Sequence, residues 1–310
     1  MSTRPVVASP RITWDEVPRH VRAAIEQTLG SPVRQAATQI GGFSPGTAVR
    51  VVCEDGRRAF VKAAGLALNP ETPGLNRAEI HALALLPDDV PAPKLLGSYD
   101  DGDWVALVLE DIEGRRPALP WAGEDVGMMA ATLGVLSRTA GHPDLPEFAE
   151  KTGVLPAWDN IAADSDGIDP RLLDRLPEMT GAQVLAADVT RGPALVHWDA
   201  RNDNVLIRDK QAVLLDWAWA CRGAPWLDTL LLALDFEVQG GPDADEFLRR
   251  NEVTREVPAA HLRAVVACFL GVFADRSRRP PPPGLPTIRM WQAHCRDRAL
   301  RWIDEGTVWT

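Results

Sequence analysis

The stretch His197-Trp-Asp-Ala-Arg-Asn-Asp-Asn204, followed by Val205-Leu-Ile207, Arg208-Asp-Lys-Gln211 and Ala212-Val-Leu-Leu-Asp216-Trp217, decides the reading of this chain. Two apolar runs flank a polar turn, a pattern that predicts a β-hairpin delivering Asn204 and Asp216 to one place. Four residues separate Asp199 from Asn204, the spacing of the catalytic loop His-x-Asp-x-x-x-x-Asn. Phosphoryl transfer needs one carboxylate to orient the attacking hydroxyl, and an amide oxygen with a second carboxylate to hold magnesium against the phosphates. Singly, each of these residues is an ordinary turn former. Together they make Asp199 the catalytic candidate and Asn204 and Asp216 the metal candidates.

A nucleotide half of the site is expected upstream. Gly41, Gly42 and Gly46 bracket Phe43-Ser-Pro at the tip of a predicted hairpin, where the missing Cβ atoms let backbone N–H groups approach phosphate. Gly42, Ser44, Gly46 and Thr47 are therefore nucleotide-binding candidates. Gly41 and Gly46 also have the separation of a P-loop, but Thr47 stands where that motif needs lysine and a strand follows, so the P-loop reading fails. Lys62 lies in the apolar run Ala59-Phe-Val-Lys-Ala63, and Glu79 on the following predicted helix supplies its carboxylate partner. Arg77 on that helix is expected to face solvent.

At 310 residues the chain can build two lobes. A capping box at Thr13-Trp-Asp-Glu16 precedes a helix ending at Gly30. Strands are expected over 33–40, 47–54, 57–63, 94–99 and 104–110, with a helix over 76–86. Beyond Asp125 the apolar residues recur at helical spacing. The fold class is thus α+β: an N-terminal lobe (1–110) with a five-stranded antiparallel sheet and one long helix, and a mainly helical C-terminal lobe (111–310). Pro280-Pro-Pro-Pro283 reads as a stiff loop. The four cysteines have no C-x-x-C spacing and are expected as buried thiols. No eighteen-residue apolar run is present and Met1–Pro10 carries no apolar stretch suited to a signal peptide, so the expectation is a cytoplasmic protein with no membrane partner. A net charge of −10 argues against nucleic acid as a partner and leaves cationic acceptors attractive. Asn251–Thr310 is nevertheless mildly basic, with nine Arg against six Asp and Glu. The acidic stretch Asp159–Asp174 is expected as a solvated loop.

From about Val33 to Ile303 these motifs, in this order, resemble the aminoglycoside phosphotransferase and choline kinase family, small-molecule kinases with a protein-kinase-like bilobal fold. The resemblance implies ATP and Mg2+ as cofactors. It also implies that Lys62 binds the α- and β-phosphates, Glu79 holds Lys62, and Glu110-Asp-Ile112 forms the hinge that meets adenine. The family's usual His-Gly-Asp is His197-Trp198-Asp199 here. Asp216-Trp217 is similar to the small-molecule branch, and the short path through Gly223-Ala-Pro-Trp-Leu-Asp228 leaves no room for a long activation segment, which argues against a protein substrate. Asp228 reads as a loop brace. The implied reaction is transfer of the γ-phosphoryl group of ATP to a hydroxyl of a small molecule. An aminoglycoside or related antibiotic comes first as acceptor, in a resistance role, ahead of an amino sugar, nucleoside or choline-like metabolite. A pseudokinase interaction module is the alternative of a different class. The acceptor pocket is expected between the catalytic loop and helices over 121–136 and 261–303. Trp198, Trp217, Trp219 and Trp226 are expected mostly in the core.

Overall fold

The computed structural model describes residues 11–42, 44–153 and 155–306, so the expectations for Met1–Pro10 and Phe43 lie outside the described residues. The Thr13–Glu16 capping box forms, but it caps a single 3-10 turn over Trp14–Glu16 rather than the first helix. Val17 is extended ahead of Pro18, as the ring of a following proline favours, and this separates the turn from α1 (Arg19–Leu29). Val21, Ile25 and Leu29 form the buried stripe of α1, and Gly30 ends it in the left-handed region at φ 69°.

The strands β1 (Val33–Thr38), β2 (Thr47–Cys53), β3 (Arg58–Gly65), β4 (Leu95–Asp100) and β5 (Trp104–Leu109) make one five-stranded sheet in the order β1-β2-β3-β5-β4. Each neighbouring pair is antiparallel. Alternation along the strands divides two faces. Val49, Val51, Val61, Ala63, Ala106 and Val108 pack with α1, while Leu107 and Leu109 join the main core on the other side. Helix α2 (Thr72–Leu85) crosses that second face. It starts four residues before the expected Asn76, because Oδ1 of Asn69 accepts from the backbone N–H groups of Glu71 and Thr72 and Pro73 sits in the first turn.

The remainder is mainly helical: α3 (Gly123–Arg138), α4 (Phe148–Thr152), α5 (Ala157–Ala163), α6 (Pro170–Leu173), α7 (Leu176–Val189), α8 (Leu227–Gln239), α9 (Ala244–Arg250), α10 (Ala259–Ser277) and α11 (Ile288–Glu305). Two short ribbons lie among them, β6 (Ala194–Val196) with β9 (Cys221–Gly223), and β7 (Val205–Arg208) with β8 (Gln211–Leu214). Trp121, Trp158 and Trp217 are fully buried in this half, and Nε1 of Trp158 donates to the Ala267 carbonyl at 2.8 Å. The acidic stretch 159–174 is not one solvated loop. It carries α5 and α6, Asp169 caps α6, and Asp164 pairs with Arg278 at 3.0 Å. All four cysteines are free and buried. Among the described residues no helix is long and apolar enough to cross a membrane.

Candidate active site

Strand β3 turns Lys62 away from the α1 side and toward α2, where Nζ lies 2.9 and 2.7 Å from the two carboxylate oxygens of Glu79. Glu79 is buried in the middle of α2, not near its start. Lys62 also stands 3.5 Å from Oδ1 of Asp216. Burial works against the ammonium, but Asp216 and Glu79 together outweigh it and raise the pKa of Lys62. Arg77 points outward as expected and holds Asp100 at 2.7 Å.

From β6 the chain runs through the catalytic loop into a 3-10 turn over Asn202–Asn204 and then the β7–β8 hairpin. Asp209 and Lys210 reverse the hairpin, both at positive φ (50° and 64°), the conformation that suits the twist of paired strands. The backbone N–H of Leu215 donates to the Asn204 carbonyl at 2.8 Å, which seats Asp216 beside the loop. Asp216 is itself left-handed at φ 63°. Nδ2 of Asn204 donates to the Asp199 carbonyl at 3.0 Å and to Oδ2 of Asp199 at 2.7 Å. That commits the amide nitrogen and leaves its oxygen as the opposite, accepting side.

Two buried side chains brace this loop. Asp228, at the start of α8, accepts from the backbone N–H of His197 through Oδ2 and of Trp198 through Oδ1, each at 2.8 Å. Burial pushes its carboxyl up to about 6 while the two N–H groups pull it down. His197 accepts at Nδ1 from the Asp199 N–H (3.2 Å), so Nε2, 3.0 Å from the Leu215 carbonyl, is the protonated nitrogen. Burial lowers its pKa to about 4, so the ring is neutral and ties the loop to the strand before Asp216. Trp198 has φ 61°, a left-handed conformation that glycine adopts without strain. Its indole stacks on Phe269 (4.8 Å, 23°) and meets Phe148 edge-on (4.3 Å).

Asp199 lies at the floor of the cleft with 23% of its side chain accessible. Burial pushes its pKa up to about 7, with Arg201 opposing and Asp203 and Asp216 reinforcing the rise. Nε of Arg201 is 2.8 Å from Oδ1 of Asp199, and its guanidinium lies 5.0 Å from the centre of the Trp291 ring. Sequence reasoning passed over Arg201, although it stands inside the decisive motif. A cation two residues after the catalytic candidate Asp199 was the available signal.

In the glycine loop, Gly42 and Ser44 line the cleft. Gly46 serves packing as well: at φ 140°, a Cβ there would lie 2.5 Å from the Ala63 carbonyl. Thr47 is buried in the sheet, and its hydroxyl has no hydrogen-bond partner among the described residues. Arg11, which the sequence did not single out, donates to the carbonyls of Gly41 (2.9 Å) and Ser44. At the expected hinge Glu110 accepts from Arg208 at 2.9 Å, Asp111 holds Arg50 and Arg58 at 2.6 and 2.9 Å, and Ile112 is buried. The carboxylates of this segment thus tie it to both lobes.

A cleft of about 570 Å³ joins these groups: Gly42 and Ser44 form its roof, Asp199, Asn204 and Asp216 its floor, and α8, α10 and α11 its outer wall. Helix α3 contributes no lining residue, contrary to expectation, because Trp121 ahead of it is buried against α8 through a 2.7 Å hydrogen bond from Nε1 to Asp235. None of the acidic residues 159–174 faces the cleft either.

The model of the phosphotransferase enzyme family matches residues 38–262. The chain belongs to that family. The match takes in the glycine loop, Lys62, Glu79, the catalytic loop and Asp228. A search of curated proteins returns no match. Among solved structures the chain is similar to a thermostable mutant of aminoglycoside phosphotransferase APH(4)-Ia in a ternary complex with ADP and hygromycin B. That likeness has 13% identity and a TM-score of 0.61, covering 93% of this chain and 99% of that one. It is also similar to choline kinase LicA from Streptococcus pneumoniae, with 14% identity, a TM-score of 0.62, and coverage of 92% and 99%. Amicoumacin kinase hAmiN, in complex with AMP-PNP, Ca2+ and Ami, matches with 14% identity, a TM-score of 0.55, and coverage of 88% and 89%. At these identities the likeness is one of fold, the protein-kinase-like architecture expected from the motifs.

Proposed function

We propose that this chain is an ATP-dependent O-phosphotransferase that moves the γ-phosphoryl group onto a hydroxyl of a small molecule. One observation carries the reading: Asp199, Asn204 and Asp216 meet on the floor of a single cleft, with the Lys62–Glu79 pair directly behind Asp216. Residues 1–110 act as the nucleotide lobe and residues 111–310 as the catalytic and acceptor lobe. Glu110 and Ile112 hold the hinge against adenine, while Gly42, Ser44, Gly46 and Thr47 shape the phosphate loop. Work in the cytoplasm, where ATP is made, belongs to the same proposal.

The donor set fits magnesium. Mg2+ takes hard oxygen ligands, is held by one or two protein groups, and completes its shell with phosphates and water. The free oxygen of Asn204 and the carboxylate of Asp216 are such a pair. When bound, the ion neutralises charge on the phosphates. The chain's own residues do the rest. Lys62, kept charged by its two carboxylates, orients the phosphates. Asp199 receives the acceptor hydroxyl in a hydrogen bond and takes its proton as the new P–O bond forms and the bond to ADP breaks. A pKa of about 7 suits a group that is ionised before transfer and must hold a proton after it. Arg201 and Asn204 fix its two carboxylate oxygens toward that task.

The test is Asp199→Ala. Turnover should fall by about 10²–10⁴-fold, the usual contribution of a positioned base, while AMP-PNP affinity stays within about twofold. Unchanged turnover on an acceptor would reject the assignment.

A further inference from the structure

The proline run between α10 and α11 has no part in the chemistry above, yet it reaches from one lobe to the other. Pro280-Pro-Pro-Pro283 offers backbone carbonyls and no N–H group, so donors on neighbouring elements must hold it. Each lobe supplies one. Arg289 on α11 donates to the Pro280 carbonyl through Nε at 3.1 Å and Nη2 at 2.8 Å, which pins the run to its own lobe. Asn69, in the N-terminal lobe, donates from Nδ2 to the Pro283 carbonyl at 3.0 Å.

Asn69 is preset for this contact. It is buried, and its Oδ1 accepts from the backbone N–H groups of Glu71 and Thr72 and from the Thr72 hydroxyl at the start of α2. Those bonds fix the amide so that Nδ2 faces the run. The same helix carries Glu79, the partner of Lys62. A second contact joins the run to the glycine loop. Gly284, at φ 76°, sits where a Cβ would stand 2.8 Å from Cγ of Pro45, and Pro45 is buried. Pro282 and Leu285 line the same cleft as Ser44 and Glu71. Because each proline φ is already fixed, the run loses little freedom on being held and bridges the lobes as a stiff bar.

We propose that residues 280–284 are a strap that latches the acceptor lobe onto the nucleotide lobe, with Asn69 as its positioning residue, and that bound nucleotide leaves when this latch opens. Gly42 and Ser44 cannot lift away from the floor without breaking the contact between Pro45 and Gly284. This rests on the phosphotransferase reading above and adds to it how the cleft closes over its nucleotide.

Release of mant-ADP with Mg2+ from the full chain, followed by stopped-flow fluorescence against excess unlabelled ADP, tests the latch in both directions. Asn69→Asp keeps a carboxylate oxygen for the start of α2, where Asp caps as well as Asn, but removes the donor to Pro283. Release should quicken about fivefold to tenfold, the factor for one lost hydrogen bond. The reverse arm ties the lobes together. A Cβ at position 284 would lie 3.2 Å from Cβ of Pro45, near the spacing a disulfide spans, so Pro45→Cys combined with Gly284→Cys can be closed by oxidation. The four native cysteines are buried, which leaves the introduced pair as the target. The oxidised protein should release mant-ADP at least about tenfold more slowly than the same protein after reduction, as for a lid that limits product release. Release at the original rate from Asn69→Asp, failure of the introduced pair to oxidise, or equal rates before and after reduction would overturn the latch. If the unaltered chain binds no mant-ADP, the phosphotransferase reading falls with it, whereas binding with unmoved rates removes the latch alone.

Discussion

Trp198 allows a sign to be predicted as well as a size. At most positions glycine is less stabilising than alanine by about 0.5–1 kcal/mol, because it loses more backbone freedom on folding. At φ 61° the order should reverse. A left-handed L-residue costs about 1–2 kcal/mol that glycine does not incur. Replacing the indole by either small residue deletes its stack on Phe269 and its edge contact with Phe148, at about 3–5 kcal/mol for a buried aromatic side chain. Trp198→Ala keeps the backbone cost and loses the ring, so it should fall by the full 3–5 kcal/mol or so. Trp198→Gly recovers part of the loss and should be the more stable of the two by about 1 kcal/mol. Urea unfolding of the three proteins, compared at constant m-value, measures this directly. An alanine variant equal to or more stable than the glycine variant would refute the left-handed conformation at this position.

Further expectations concern the floor and the loop. The pKa of Asp199, raised to about 7, means that the ionised, proton-accepting form is lost as pH falls through that value; kcat/KM should show an acid limb near 7 rather than near 4. A pH–rate profile with its limb in the ordinary carboxylate range would contradict the burial argument. Glu79→Gln removes a carboxylate that holds Lys62 at 2.7 Å, and KM for ATP should rise about tenfold or more, as for loss of a charge-assisted contact. Steady-state kinetics with ATP varied would show it, and an unchanged KM would detach Lys62 from the nucleotide. Gly46→Ala places a Cβ 2.5 Å from the Ala63 carbonyl at φ 140°, and thermal unfolding should report a loss of about 2 kcal/mol or more.

The site was legible in the sequence where spacing fixes geometry. A short loop and a tight hairpin leave Asp199, Asn204 and Asp216 no freedom to separate, and β3 followed by α2 fixes Lys62 against Glu79. The start of α2 and the capping-box turn were misplaced because both depend on neighbouring residues, Asn69 in one case and Pro18 in the other, that override helical periodicity. The acceptor wall was the least legible part. It gathers α8, α10 and α11 from separate stretches of chain, and the commitment of Asp275 and Asp235 to local partners appears only in three dimensions. A net charge of −10 pointed toward cationic acceptors, while the cleft lining is nearly balanced, with five carboxylates against four arginines. Global charge does not predict a local surface.

The central claim is that Asn204 and Asp216 hold a metal–nucleotide complex beside Asp199. A crystal structure with AMP-PNP and Mn2+ in place of Mg2+, with the ion located by its anomalous signal, measures this most directly. The predicted result is a peak within coordination distance of both the amide oxygen of Asn204 and a carboxylate oxygen of Asp216. A nucleotide bound in the cleft with its metal away from both side chains would contradict it.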